Sequence, residues 1–251
     1  MTTVVARALL ISLVVGFVTS SIRSYIDRIF LVLLAVFLLH MPIKEAILVN
    51  LIVMALASSF FYARHEGKLA ALPRGFAWWT ALSAAMGAAL GRGLGLALSS
   101  QALAVVLGVY AVAVGVRLLL VKIPSQGSAT PGPAAYPLAF AWAILTGLIS
   151  AGGKPFQVPV LTKGLRLPPN VAYLIASLGT LSAALAAILT QVTVAPEALG
   201  GHLFTWATYF FASITTVALV VERYWTPRLQ QAVSYVIAPL LVLAGLRLMS
   251  L

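Results

Sequence analysis

Long apolar runs recur along the whole chain, separated by short polar turns. Those over residues 43–62, 76–98, 102–121, 170–190, 203–221 and 232–248 each have the roughly 17–25 residues that a helix needs to cross a bilayer. Four other apolar pieces, 4–20, 29–39, 138–151 and 156–161, are interrupted or short. The alternation and turn spacing of a spanning barrel are missing. The pattern predicts an all-α polytopic membrane protein.

The order of the pieces is the same twice over: a broken pair, then three full spans. Between the two sets lies KIPSQGSATPGPAAYP, the one long stretch rich in Pro, Gly and Ser. This divides the chain into a first membrane repeat (1–121), a cytoplasmic linker (122–135) and a second membrane repeat (136–251). Residue matches support a duplication. Pro42 to Ala46 (PIKEA) aligns with Pro168 to Ala172 (PPNVA), and His65 falls opposite Gln191. Ser100-Gln101-Ala102 matches Gln230-Gln231-Ala232, and Gly115 to Leu119 matches Gly245 to Met249. Gly16 and Gly147 each precede a break. With a broken pair plus three spans, each half crosses an odd number of times whether the pair is a re-entrant hairpin or two short spans. The expected plan is therefore two inverted-topology repeats, with a binding site at the breaks.

Charge fixes an expected orientation. One face collects Arg64, Lys68, Arg74, Arg117, Lys122, Lys163, Arg166, Arg223 and Arg228, and the other Arg7, Lys44, Arg92 and Arg247. The positive-inside rule makes the first face cytoplasmic and puts both termini outside the cytoplasmic (inner) membrane. The chain is 62% hydrophobic and only 8% charged, against about a quarter charged in soluble domains. Its net charge of +11 is read as helix-end cations meeting anionic lipid, not as a nucleic-acid surface. The N-terminal segment has an Arg and an apolar core but no evident small-residue cleavage site, and is read as a retained first segment. Cysteine is absent, which excludes disulfides, thiol catalysis and Cys-ligated metals.

The chemistry concentrates in the breaks. Gly152-Gly153-Lys154-Pro155-Phe156-Gln157-Val158-Pro159 cannot continue a plain spanning helix, because Pro removes a backbone donor and Gly opens unusual φ values. In hydrocarbon such a break survives only against protein or a wet cavity. A helix restarting after Pro155 offers backbone N–H groups, Lys154 a full charge and Gln157 an amide, which together suit an anion. The plainer reading is a kink with Lys154 snorkelling to an interface. The first break, Ser20 to Arg28, carries Arg23 and Arg28, whose forked donors suit oxyanions, and Asp27, a candidate for proton coupling. An ordinary solvated loop would look the same. Asn50 and Ser177 lie on matching helices just beyond the PIKEA and PPNVA motifs, where they can face the breaks. The small-residue ridge Ser83, Gly87, Gly91, Gly95 reads as close helix packing. His40, His65 and His202 lack metal-ligand spacing. No nucleotide loop, catalytic triad or carboxylate pair stands out, so neither a metal, a cofactor nor an enzymatic role is expected.

With the repeat in hand, GGKPFQVPVL and LPPNVAYLIAS in the second half, and MPIKEAILVN and YARHEGKL in the first, resemble the TauE/SafE sulfite and organosulfonate exporter family, also called the toluene-sulfonate uptake permease family. The resemblance spans nearly the whole chain. It implies a substrate site at Gly152, Gly153 and Pro159. Two departures add charge: Lys154 stands where the family has a third Gly, and Ile26-Asp27-Arg28 replaces the triple Gly of the first half. The expected function is a secondary transporter of small oxyanions (sulfite, sulfonates or related organic anions) working by alternating access, with the two breaks meeting near the midplane around a small anionic substrate. Membrane lipid is the other expected partner, and a homo-oligomer is left open. The alternatives are an integral-membrane enzyme acting on lipid phosphate, and a passive channel or accessory membrane subunit.

Overall fold

A computed structural model of the chain describes residues 2–21, 29–64, 72, 74–120, 132–152, 154–224 and 226–250. Among these the fold is all-helical. The α-helices are α1 (Thr2–Ser21), α2 (Ile29–Leu39), α3 (Ile43–Arg64), α4 (Arg74–Ala97), α5 (Ser100–Leu120), α6 (Ala135–Ile149), α7 (Lys154–Pro159), α8 (Pro169–Val194), α9 (Gly201–Glu222) and α10 (Pro227–Met249). A π-turn, Val160–Gly164, extends α7, and a 3-10 turn, Pro196–Ala198, follows α8. Among the described residues five helices are both long and apolar enough to cross a membrane: α1, α3, α5, α8 and α9. Their outer faces carry exposed Leu, Val and Phe side chains, as a lipid-facing surface requires, and Trp78 and Trp79 lie exposed near the start of α4. This is a polytopic membrane protein.

The helices form two compact units, each drawing on both halves of the chain. One comprises Met1–Val53, Leu98–Leu120 and Gly200–Leu251; the other comprises Met54–Ala97 and Val121–Leu199.

In the first unit α1 packs along α9. Ser213 donates to Ser12 (2.7 Å) and Ser20 donates to the Ala218 carbonyl (2.7 Å), so the two helices run parallel and are joined by hydroxyl bonds suited to an apolar setting. Gly16 lets them close up: a Cβ there would lie 2.6 Å from Val217 Cβ and 3.0 Å from the Ile214 carbonyl oxygen. Arg7 Nη1 donates to the Leu38 carbonyl at 3.0 Å, so α2 returns antiparallel to α1. In the same unit α5 and α10 pack antiparallel. A Cβ on Gly108 would meet the Gly245 oxygen at 2.7 Å, one on Gly245 the Gly108 oxygen at 2.6 Å, and one on Gly115 the Ala238 oxygen at 2.7 Å.

In the second unit the fourth helix of the first half meets the first helix of the second half. Gly87, Gly91 and Gly95 of α4 face the carbonyls of Phe140, Ile144 and Leu148 of α6, in that order, so α4 and α6 run parallel. Gly147 answers from α6, against Ala88, and a Cβ there would lie 2.7 Å from the Arg92 nitrogen. The expected small-residue ridge is thus the α4–α6 seam. α8 also packs on α4, with Gly179 against Ala84 and Gln191 against Arg92, and so runs parallel to it as well. Since α6 and α8 point the same way, residues 150–168 must carry the chain back between them. At about 1.5 Å per residue the 15 residues of α6 reach about 22 Å, short of the roughly 30 Å hydrocarbon layer. The second break is therefore a helical hairpin, in which α6 is followed by α7 returning toward the start of α8.

The turn that follows each short piece is built twice. Met41 N–H donates to the Ala35 carbonyl (3.2 Å) and Leu167 N–H to the Leu161 carbonyl (3.0 Å); Ala46 and Ala172 donate to the carbonyls of Pro42 and Pro168, both at 2.9 Å. Pro42 precedes α3 and Pro168 precedes α8, where a missing N–H costs nothing because a helix start leaves it unpaired anyway.

Candidate functional site

At the turn of the hairpin Ser150 takes the left-handed conformation. Ser150 caps α6 at φ 50° and ψ 21°, with its N–H bonded to the Thr146 carbonyl. No described glycine has positive φ, and Gly152 is buried. Gly153 lies outside the described residues. α7 then starts at Lys154, and Pro155 sits at its first turn, where the ring is tolerated.

Lys154 and Gln157 are both withdrawn from the surface, at 7% and 3% exposure. Lys154 therefore does not snorkel to an interface. The Nε2 of Gln157 is buried and has no hydrogen-bond partner among the described residues. An amide left in this state costs about 1–3 kcal/mol, so the sequence retains it against stability. Trp142 of α6 stacks on Phe156 of α7, with ring centroids 5.5 Å apart and planes 11° from parallel. Its indole Nε1 is likewise buried and unpartnered among the described residues. The hairpin thus buries two hydrogen-bond donors without partners among the described residues, the Nε2 of Gln157 and the Nε1 of Trp142, which is chemistry for an anion or a carbonyl-bearing ligand.

Below Gln157 the hairpin loses α-helical geometry. Pro159 has no N–H and Thr162 Oγ1 donates to the carbonyls of Val158 (2.8 Å) and Pro159 (3.2 Å). Leu165 N–H reaches back to Val160, closing the π-turn. α7 packs on α8, which carries Ser177, 2% exposed. Its neighbour Thr180 is satisfied by the Ala176 carbonyl on its own helix (2.8 Å). The structure thus brings Gly152, Lys154, Gln157, Pro159 and Ser177 into one unit. Asn50, fully buried on α3, belongs to the other. Arg23, Asp27 and Arg28 lie outside the described residues.

One functional candidate had no signal of its own in the sequence. Arg92, grouped by its position with helix-end cations, is 2% exposed and ranks among the largest fully buried side chains. Its Nε donates to Gln191 Oε1 at 2.8 Å, and its Nη2 donates to the same oxygen. The pairing of His65 with Gln191 in the repeat marked Gln191, but nothing local pointed to its partner 99 residues away.

The sequence model of one family, described as sulfite exporter TauE/SafE, matches residues 8–248. No curated protein and no solved structure matches the chain. The match covers all ten helices but for the first residues of α1 and the last residue of α10, and the chain belongs to the TauE/SafE family of membrane transporters for sulfite and sulfonates.

Proposed function

We propose that this protein is a secondary transporter that moves a small oxyanion (sulfite, a sulfonate or a related organic anion) across the cytoplasmic membrane by alternating access. The observation that carries the reading is the hairpin of α6 and α7, where a buried Lys154 and the unpartnered Nε2 of Gln157 are held at a break in the membrane-embedded helices. Broken helices at corresponding places in two halves are the usual home of a transported ion. Gly152, Gly153 and Pro159 join the substrate site by the family resemblance, with Ser177 and Asn50 as further ligands. Arg23 and Arg28 supply the counterpart cations of the first half, and Asp27 a proton-coupling carboxyl.

Two features support an inverted duplication with halves at 1–121 and 136–251 joined by a cytoplasmic linker. The same turn is built before α3 and before α8. The equivalent helices α5 and α10 pack antiparallel, and adding 130 to a first-half position exchanges the Gly108–Gly245 contact with the Gly115–Ala238 contact. That exchange is what a two-fold axis across the helices produces.

The test is flux of labelled sulfite and of a sulfonate into proteoliposomes. Wild-type protein should carry at least one of them, and Lys154→Ala should cut the rate by tenfold or more, the loss expected for a hydrogen bond to a charged group. Transport that ignores both Lys154→Ala and Arg23→Ala would sink this site.

A further inference from the structure

We propose that Arg92 is an anion-binding residue, with the Nη1 edge of its guanidinium offered to an oxyanion inside the second unit. The proposal rests on the oxyanion-transport reading for the chemical class of its ligand and adds a residue that neither break contains.

The argument begins with an uncompensated charge. Arg92 lies inside α4 between Gly91 and Gly93, five residues before the helix ends at Ala97. It is 2% exposed, too deep to reach an interface by extending its stem. An isolated charge taken out of water costs several kcal/mol unless an opposite charge and hydrogen bonds offset it. The partner the fold supplies is neutral: Gln191 Oε1 accepts from Nε and from Nη2. Arg92 has no ion pair among the described residues, and Nη1 is buried with no hydrogen-bond partner among them.

The arrangement is built, not incidental. Gln191 is fully buried, and its Nε2 donates to the Ala195 carbonyl at 3.0 Å. That bond fixes the amide so that its oxygen faces Arg92. The amide clamps one edge of the guanidinium and leaves Nη1 without a hydrogen-bond partner among the described residues. A clamped guanidinium has already lost its rotamer freedom, so less is lost when a ligand binds. Its planar fork matches two oxygens of a sulfite, sulfonate or carboxylate group.

The location fits as well. The Arg92 backbone lies against Gly147, in the last turn of α6, three residues before Ser150 turns the chain toward Lys154. A side chain at Gly147 would collide with the Arg92 nitrogen at 2.7 Å. The buried guanidinium and the hairpin turn therefore occupy the same end of the α4–α6 seam.

The experiment measures anion-dependent thermal stability of the purified full-length protein in detergent. Sodium sulfite, methanesulfonate and acetate are compared with sodium chloride at equal ionic strength. Wild type should be stabilised by at least one oxyanion over chloride. Gln191→Glu places a carboxylate against Arg92 in nearly the same volume. It should raise the melting temperature without ligand and weaken the oxyanion effect by tenfold or more in apparent affinity. Arg92→Lys keeps the charge and loses the fork, and should weaken the effect similarly; if that variant does not fold, Gln191→Glu decides alone. Equal oxyanion stabilisation of wild type and Gln191→Glu overturns the proposal, as does a wild type that no oxyanion stabilises. Flux separates the two readings. Arg92-dependent stabilisation without flux upholds the site and removes the transporter assignment, whereas flux untouched by Gln191→Glu does the reverse.

Discussion

His40 and Arg166 share an unusual backbone: each has φ of 54°, and each stands two residues before the proline that leads into a long helix. They are separated by the same 126 positions as Pro42 and Pro168. A left-handed conformation costs an L-residue with a Cβ roughly 1–2 kcal/mol, so two independent loops have little reason to share it. The common turn supports the proposed duplication suggested by the PIKEA and PPNVA motifs.

The turn makes a prediction of its own. His40→Gly and Arg166→Gly should leave the melting temperature unchanged or slightly raised, since glycine enters this region without strain. His40→Val and Arg166→Val should each lower stability by about 1–2 kcal/mol. Thermal melts of the four variants check it, and valine variants as stable as wild type would contradict it.

The α5–α10 crossing should be equally sensitive. Gly245→Val would force a side chain into the Gly108 carbonyl, 2.6 Å from the first added carbon. Overpacking of this kind costs about 1–3 kcal/mol. Gly93→Ala is the control, because a Cβ there meets nothing within 4 Å, and alanine should stabilise the helix by about 0.5–1 kcal/mol. Size-exclusion profiles and melts of the two variants should move in opposite directions.

Gln157 separates stability from function. Gln157→Leu removes a buried amide that lacks a partner at Nε2, so the melting temperature should hold or rise. Oxyanion flux should fall by tenfold or more. A variant that transports normally would make Gln157 a packing residue only.

Topology has a direct check. Reporter fusions active only outside the cytoplasm should be active at both termini, as the distribution of Arg64, Lys68, Arg74, Lys163, Arg166 and Arg223 requires. A cytoplasmic C-terminus would reverse the assigned faces.

What could be read from the sequence was what is local. The spacing of Gly87, Gly91 and Gly95 is a period of one helical turn, and all three sit on α6 carbonyls. Two prolines and a glycine pair within eight residues mark the second break, because clustered helix breakers interrupt the backbone ladder. What could not be read depends on partners far along the chain. Arg92 near the end of an apolar helix looks like an interfacial cation until Gln191 is brought against it. At the second break Ser150 takes the left-handed conformation. No feature of a serine in sequence distinguishes that state. The π-turn after Pro159 was also silent, since it arises from a lost N–H and the back-bonding of Thr162 acting together.

Gly16 and Gly147 hold corresponding places, and each abuts a carbonyl of its neighbour, Ile214 in one case and Ala88 in the other. One helical turn beyond Ala88 stands Arg92, while one turn beyond Ile214 stands Ala218. The corresponding place in α9 thus holds no cation. Should Arg92 hold the transported anion, as proposed above, the two halves would bind it unequally, and the asymmetry would lie in one side chain.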